Sequence, residues 1–70
     1  MKEITASMAG TVLNVLVNIG DEVATGQAVI ILESMKMEIP IEALDKGKVS
    51  EIKVNIGDFV NEGDVLLTIE

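Results

Sequence analysis

The residues best suited to chemistry lie in one short run, Glu33-Ser34-Met35-Lys36-Met37-Glu38, in a chain of 70 residues with a formal charge of −7. A lysine offers an amine at the end of a long flexible stem, suited to acylation as well as to charge. Acylation would give a neutral amide, remove the positive charge and carry an attached group several ångströms beyond the surface. The ordinary role of a surface lysine is solubility, and methionine ordinarily fills irregular gaps in a core. Alternation weakens the second reading. Met35 and Met37 share a parity, so both can face inward only if Lys36 faces outward.

Other chemistries find little support. The chain has no histidine and no cysteine, which removes the commonest general base, the commonest metal ligand and any disulfide. The acidic residues do not fall at calcium-loop spacing. Ser34 and Lys36 stand two apart, whereas the Ser-x-x-Lys signature of serine acyl enzymes needs three. Glu33 and Glu38 could tune an amine between them, but strand ends facing solvent are the simpler reading. An enzyme acting alone is therefore rejected.

The elements that must position Lys36 emerge from an internal repeat. Residues 10–33 and 47–70 align at a constant offset of 37 with ten identities in 24 positions, including Gly10/Gly47, Val12/Val49, the NIGD runs 18–21 and 55–58, Gly26/Gly63 and Glu33/Glu70. Each half reads as strand, turn, strand. Val12 is out of phase with Val15 and Val17, and Val49 with Ile52 and Val54, which predicts a bulge or bend at the same place in both halves. Glycine with neighbouring asparagine and aspartate supplies turn chemistry in NIGD. Strands are predicted over residues 3–7, 28–33, 39–43 and 65–69. Asp21 to Gly26 reads as a loop or one short turn. Ala9-Gly10 and Asp45-Lys46-Gly47 read as turns. Pro40 has no N–H to donate and belongs at an edge or bulge.

Two similar strand pairs can cover each other, so a single all-β domain over residues 1–70 is expected, a flattened barrel or sandwich with quasi-two-fold symmetry. A chain this short buries only roughly 60% of its unfolded surface, and its core must be aliphatic, because Phe59 is the only aromatic residue. Residues 34–37 then connect a hairpin and place Lys36 at its tip, although Ser-Met-Lys-Met contains none of the usual tip residues.

The acidic balance argues against nucleic acid and against an anionic membrane surface as partners. No apolar run approaches the length of a membrane span, and the first residues carry no apolar signal core. The expectation is the cytoplasm.

The tip resembles the biotin attachment motif of the biotinyl/lipoyl carrier domains, whose usual form is Ala-Met-Lys-Met; here it is Ser34-Met35-Lys36-Met37, preceded by Glu33. The resemblance extends over the whole chain: Gly10–Val12, the repeat, the IxxGDxV turns and the final strand. It implies two four-stranded antiparallel sheets, with the modified lysine on a protruding hairpin. It also implies that Lys36 carries covalent biotin, that Met35 and Met37 are read by a biotin protein ligase and suit carboxylase partners, and that Glu33 and Ser34 flank the site. The implied function is a non-catalytic, monomeric carrier. A biotin carboxylase using ATP and bicarbonate would load it, and a carboxyltransferase would unload it. Ser34 replaces the usual alanine, a small change that ligation should survive. Asn18 to Ala28 is too short for the inserted thumb of some acetyl-CoA carboxylase carriers. No Ala/Pro-rich linker precedes the domain, and the leading Met-Lys-Glu favours a free-standing carrier over an excised domain. Two alternatives stand beside this reading. One is a lipoyl carrier loaded by a lipoate ligase, although lipoyl lysines usually follow aspartate. The other is an unmodified acidic interaction domain.

Overall fold

The computed structural model describes residues 2–70, which form eight strands and no helix. These are β1 (Lys2–Thr5), β2 (Gly10–Val15), β3 (Glu22–Val23), β4 (Ala28–Ser34), β5 (Met37–Glu42), β6 (Gly47–Ile52), β7 (Phe59–Val60) and β8 (Val65–Ile69). They make two four-stranded antiparallel sheets, in the orders β1-β8-β6-β3 and β5-β4-β2-β7. The expected all-β architecture is the one found. For brevity the second is called the hairpin sheet.

The strand bounds carry the repeat further than the sequence alignment did. At the offset of 37, β1–β4 map onto β5–β8, and Ile4/Ile41 and Ala6/Ala43 join the identities. The two halves are interlaced. Each sheet has two central strands from one half, flanked by edge strands from the other. A strand pair standing alone exposes rows of backbone donors and acceptors on both flanks; here strands of the partner half pair with those flanks.

Backbone bonds across the halves obey the same symmetry. The Gly20 N–H donates to the Val49 carbonyl at 2.8 Å, and the Gly57 N–H donates to the Val12 carbonyl, also at 2.8 Å. Each NIGD turn is pinned internally as well: Asp21 Oδ2 accepts from the Asn18 N–H, and Asp58 Oδ2 from the Asn55 N–H, both at 2.8 Å. Gly20 and Gly57 take φ of 95° and 96°, a conformation that glycine adopts without steric penalty.

The core is aliphatic throughout, with Val12, Val29, Ile30, Leu32, Val49, Leu66, Leu67 and Ile69 essentially sealed from solvent. Register shifts at Val12/Asn14 and Val49/Glu51 set the expected bulges at equivalent places in β2 and β6. Pro40 lies on β5, an edge strand of the hairpin sheet, as its missing N–H requires.

Three local expectations need correction. Asp21 to Gly26 is not wholly loop, because Glu22 and Val23 form β3 against Lys48 and Gly47 of β6. A two-residue strand is too short to show alternation. The first strand spans residues 2–5 rather than 3–7. Gly10 and Gly47 are not turn residues: the chain bends two to three residues earlier, and both glycines open strands. Their role is close approach. A Cβ on Gly10 would lie 2.9 Å from the Glu33 carbonyl oxygen, and one on Gly47 would lie 2.1 Å from Ile69 Cγ2 and 2.6 Å from the Glu70 carbonyl oxygen.

Candidate functional site

β4 and β5 pair from Ala28↔Glu42 to Ser34↔Met37, so the hairpin closes through the two residues Met35 and Lys36 alone. Both take positive φ, 52° and 66°, as the central positions of a type I′ turn demand. That turn follows the right-handed twist of its strands, but it normally recruits Asn-Gly. In the left-handed region a side chain costs about 1–2 kcal/mol per residue. The flanking ladder holds the turn: Leu32 and Ile39 pair directly behind it, with Leu32 fully buried and Ile39 packed on the core. The strain is therefore local and imposed by well-packed strands, as is common where a fold displays a functional group.

Lys36 is exposed, and its ammonium enters neither of the ion pairs among the described residues, which are Lys2–Asp45 and Lys53–Glu51. Met35 is 89% exposed and Met37 59%. The core-filler reading of the two methionines is thereby replaced: the triplet projects as a unit, with two polarizable apolar side chains beside one amine. Ser34 is half-buried at the end of β4. Glu33 and Glu38 stand directly opposite each other on the exposed side of the β4–β5 ladder. Like charges in that relation repel, so the base of the tip is a small acidic platform. The expected residues Glu33, Ser34, Met35, Lys36 and Met37 are thus brought together by one hairpin. Glu38 completes them from the other strand.

Far from the tip, Lys2 Nζ donates to Asp45 Oδ2 at 2.5 Å. That hydrogen bond, with a backbone N–H from Lys46 and the charge of Lys2, holds the Asp45 carboxyl below its usual range. No helix is long and apolar enough to cross a membrane.

What this arrangement can do is hold one amine at a fixed point on a compact support, with a narrow footprint and no neighbouring acid or base tied to it.

Known proteins share this plan. A family model described as "Biotin-requiring enzyme" matches residues 2–69. The chain is 56% identical over 66 residues to a biotin/lipoyl attachment protein of Bacillus subtilis, covering 94% of this chain and 90% of that one. It is 55% identical over 64 residues to a biotin carboxyl carrier protein of Streptococcus mutans, covering 91% of this chain and 49% of that one. Among solved structures it resembles part of the urea carboxylase of Kluyveromyces lactis, with a TM-score of 0.93 and 33% identity over 99% of this chain and 6% of that one. A match running nearly end to end places this chain in the biotin/lipoyl attachment family.

Proposed function

We propose that this protein is a cytoplasmic, monomeric carrier biotinylated on Lys36, which moves a carboxyl group between a biotin carboxylase and a carboxyltransferase. The observation that carries the reading is the strained two-residue turn that presents Lys36 outward, unpaired, between two exposed methionines. The biotin carboxyl carrier protein and the urea carboxylase among its relatives support the choice of cofactor.

Each residue of the tip has a part. Lys36 Nζ, once deprotonated, attacks the activated carboxyl carbon of biotin; an amide forms, the activating group leaves with the bonding pair, and the remaining amine proton passes to solvent. A biotin protein ligase would provide that activation and would read Met35 and Met37 as the apolar shoulders of the amine. Ser34 and Glu33 set the start of the turn and the charge beside it. Once attached, biotin supplies a ureido ring that accepts a carboxyl unit from bicarbonate in an ATP-dependent reaction and yields it to an acceptor. The protein contributes reach and rigidity, since the lysyl stem swings while the barrel keeps its shape. It takes no catalytic part.

A lipoyl carrier is the second reading, favoured by one observation: a relative 56% identical to this chain is named for both attachments. Intact-mass spectrometry separates the two. The protein is coexpressed with a biotin ligase and, in a parallel culture, with a lipoate ligase. A biotin adduct on the wild type, lost in Lys36→Ala with the melting temperature unchanged, is the expected result. A lipoyl adduct alone would reassign the cofactor. No adduct from either ligase would overturn the carrier reading and leave the acidic interaction domain.

A further inference from the structure

The quasi-symmetry provides an internal control for the surface, because most outward positions on the hairpin sheet have a described counterpart on the other sheet. Alternation fixes which residues point outward. Leu32, Ile39 and Ile41 turn inward, so Glu33, Ile31, Glu38 and Pro40 turn out. One outward row runs Phe59–Thr11–Glu33–Glu38 across the four strands. The next runs from the bulge at Leu13 and Asn14 through Ile31 to Pro40. On the other sheet the matching rows are Glu22–Lys48–Glu70, which keeps a glutamate at the place of Glu33, and then Ser50 and Glu51 through Thr68 to Glu3.

Four of the substitutions between counterparts run one way. Phe59, Leu13, Ile31 and Pro40 stand where the other sheet has Glu22, Ser50, Thr68 and Glu3. The second set is polar and internally satisfied: Ser50 Oγ and Thr68 Oγ1 lie 2.6 Å apart in a hydrogen bond. The first set has no such satisfaction, and Phe59 is 65% and Leu13 39% exposed. Charge divides in the same way. On the other sheet Glu22 pairs across the ladder with Lys48, and Glu51 lies 3.7 Å from Lys53. On the hairpin sheet Thr11 replaces that lysine, and no cation offsets Glu33, Glu38 or Glu42 among its strands. One scaffold, folded twice, has kept a polar face on one side, with Thr68 itself buried and Ser50 half-buried, and an apolar band with an acidic margin on the other. The margin is the platform directly behind Lys36.

We propose that the outer face of the hairpin sheet, centred on Phe59, Leu13 and Ile31, docks on the biotin carboxylase subunit through an apolar depression bordered by lysine and arginine. This rests on the carrier reading. The partner's sign follows from the acidic margin and from its own chemistry, because an active site that gathers ATP and bicarbonate needs a cationic approach. A second copy of this chain fits poorly, since Glu33 and Glu38 would oppose their own kind. The face spans about 15 Å across four strands at ordinary strand spacing, the scale of a transient contact rather than a permanent one. A carrier that leaves its partner on every cycle needs a contact of that kind.

The test uses the biotinylated protein and a purified biotin carboxylase subunit, with ATP and bicarbonate, and compares carrier with free biotin as acceptor. Phe59→Asp is set against Phe59→Leu and against Glu22→Gln, the counterpart on the other sheet. Intact mass establishes biotin on each variant, and a thermal melt establishes the fold. Phe59→Asp is expected to raise KM for the carrier about tenfold, equivalent to about 1.4 kcal/mol, with kcat held. Phe59→Leu should restore most of the difference, Glu22→Gln should leave KM unchanged, and added salt should raise the wild-type KM. Equal KM values for all variants would overturn the proposal. So would a Phe59→Asp protein that is folded but refused by the ligase, which would assign the face to that enzyme, or a wild-type dimer dispersed by Phe59→Asp. A defect seen only with the carboxyltransferase would overturn it too. Failure of the wild type to take biotin is a separate result, and it strikes the carrier reading first.

Discussion

The hairpin β4–β5 and the strand pair β8–β1 occupy equivalent places in the two halves, and they part company at their ends. The first closes through Met35 and Lys36; the second pairs Lys2 with Ile69, where the described chain enters and leaves. Behind both, the packing is nearly the same. Leu32 and Ile69 are counterparts and both are buried, as are Ile41 and Ile4. The comparison teaches that the packing is shared by both halves and that the symmetry breaks at residues 34–38, where the proposed attachment site lies. Those residues could be added to a duplicated half without altering its core.

The widest break in this comparison should come from the two approach glycines. Gly47→Ala drives a methyl into Ile69, whose side chain is sealed in the core, and toward a backbone oxygen; the expected loss in urea denaturation is about 2–4 kcal/mol. Gly10→Ala meets only the Glu33 carbonyl, at 2.9 Å, and should cost about 1–2 kcal/mol. Equal losses would mean that the two halves adjust alike and that the asymmetry of the approach has no energetic weight.

A smaller effect, of opposite sign, belongs to the tip. Replacing Met35-Lys36 by Asn-Gly supplies the residues that a type I′ turn prefers. Relief of the left-handed strain, partly offset by the freedom glycine gains in the unfolded chain, should stabilise the protein by about 1 kcal/mol. On the proposed carrier reading the same variant should take up no cofactor, which intact mass would check. Stability unchanged or reduced in the denaturation midpoint would show that the turn is not strained by its sequence.

The smallest effect lies at Lys2 and Asp45. Asp45 has a lowered pKa in the fold, chiefly through its hydrogen bond with Lys2. A carboxyl lowered on folding stabilises the protein above its unfolded pKa and loses that contribution as the pH falls through the folded value. Both partners are solvent-exposed, so the contribution is slight. Asp45→Asn should therefore narrow the gap in melting temperature between neutral and acid pH by a small amount, with the midpoint at high salt unaffected. A large shift at neutral pH would mean that this corner does more structural work than an exposed pair can.

Much of this was legible in the sequence because the repeat told each half how to be read. Val12 and Val49 slipping phase together located both bulges, and Pro40 marked an edge. Lys36 was placed at a tip by the strands on either side. Other features escaped for physical reasons. β3 and β7 have two residues each, and nothing periodic fits in two. Residues 2–9 share only Ile4 and Ala6 with their counterparts, so the start of the repeat was hidden until the strands were seen. A glycine that permits close approach looks the same in sequence as one that permits a turn, and Gly10 and Gly47 were misread on that account. Nor does Met-Lys announce a left-handed turn: the flanking ladder imposes it.

The interlacing of the halves has a consequence for when the lysine becomes usable. The turn at Met35-Lys36 needs β5 locked beside β4, and the sheet holding them is completed at its far edge by β7. β8, in turn, joins β1 to β6. A growing chain that has emerged only as far as Lys36 displays the right letters in the wrong shape. An enzyme that recognises the shaped tip would pass over nascent and truncated chains, so that cofactor is spent only on finished molecules.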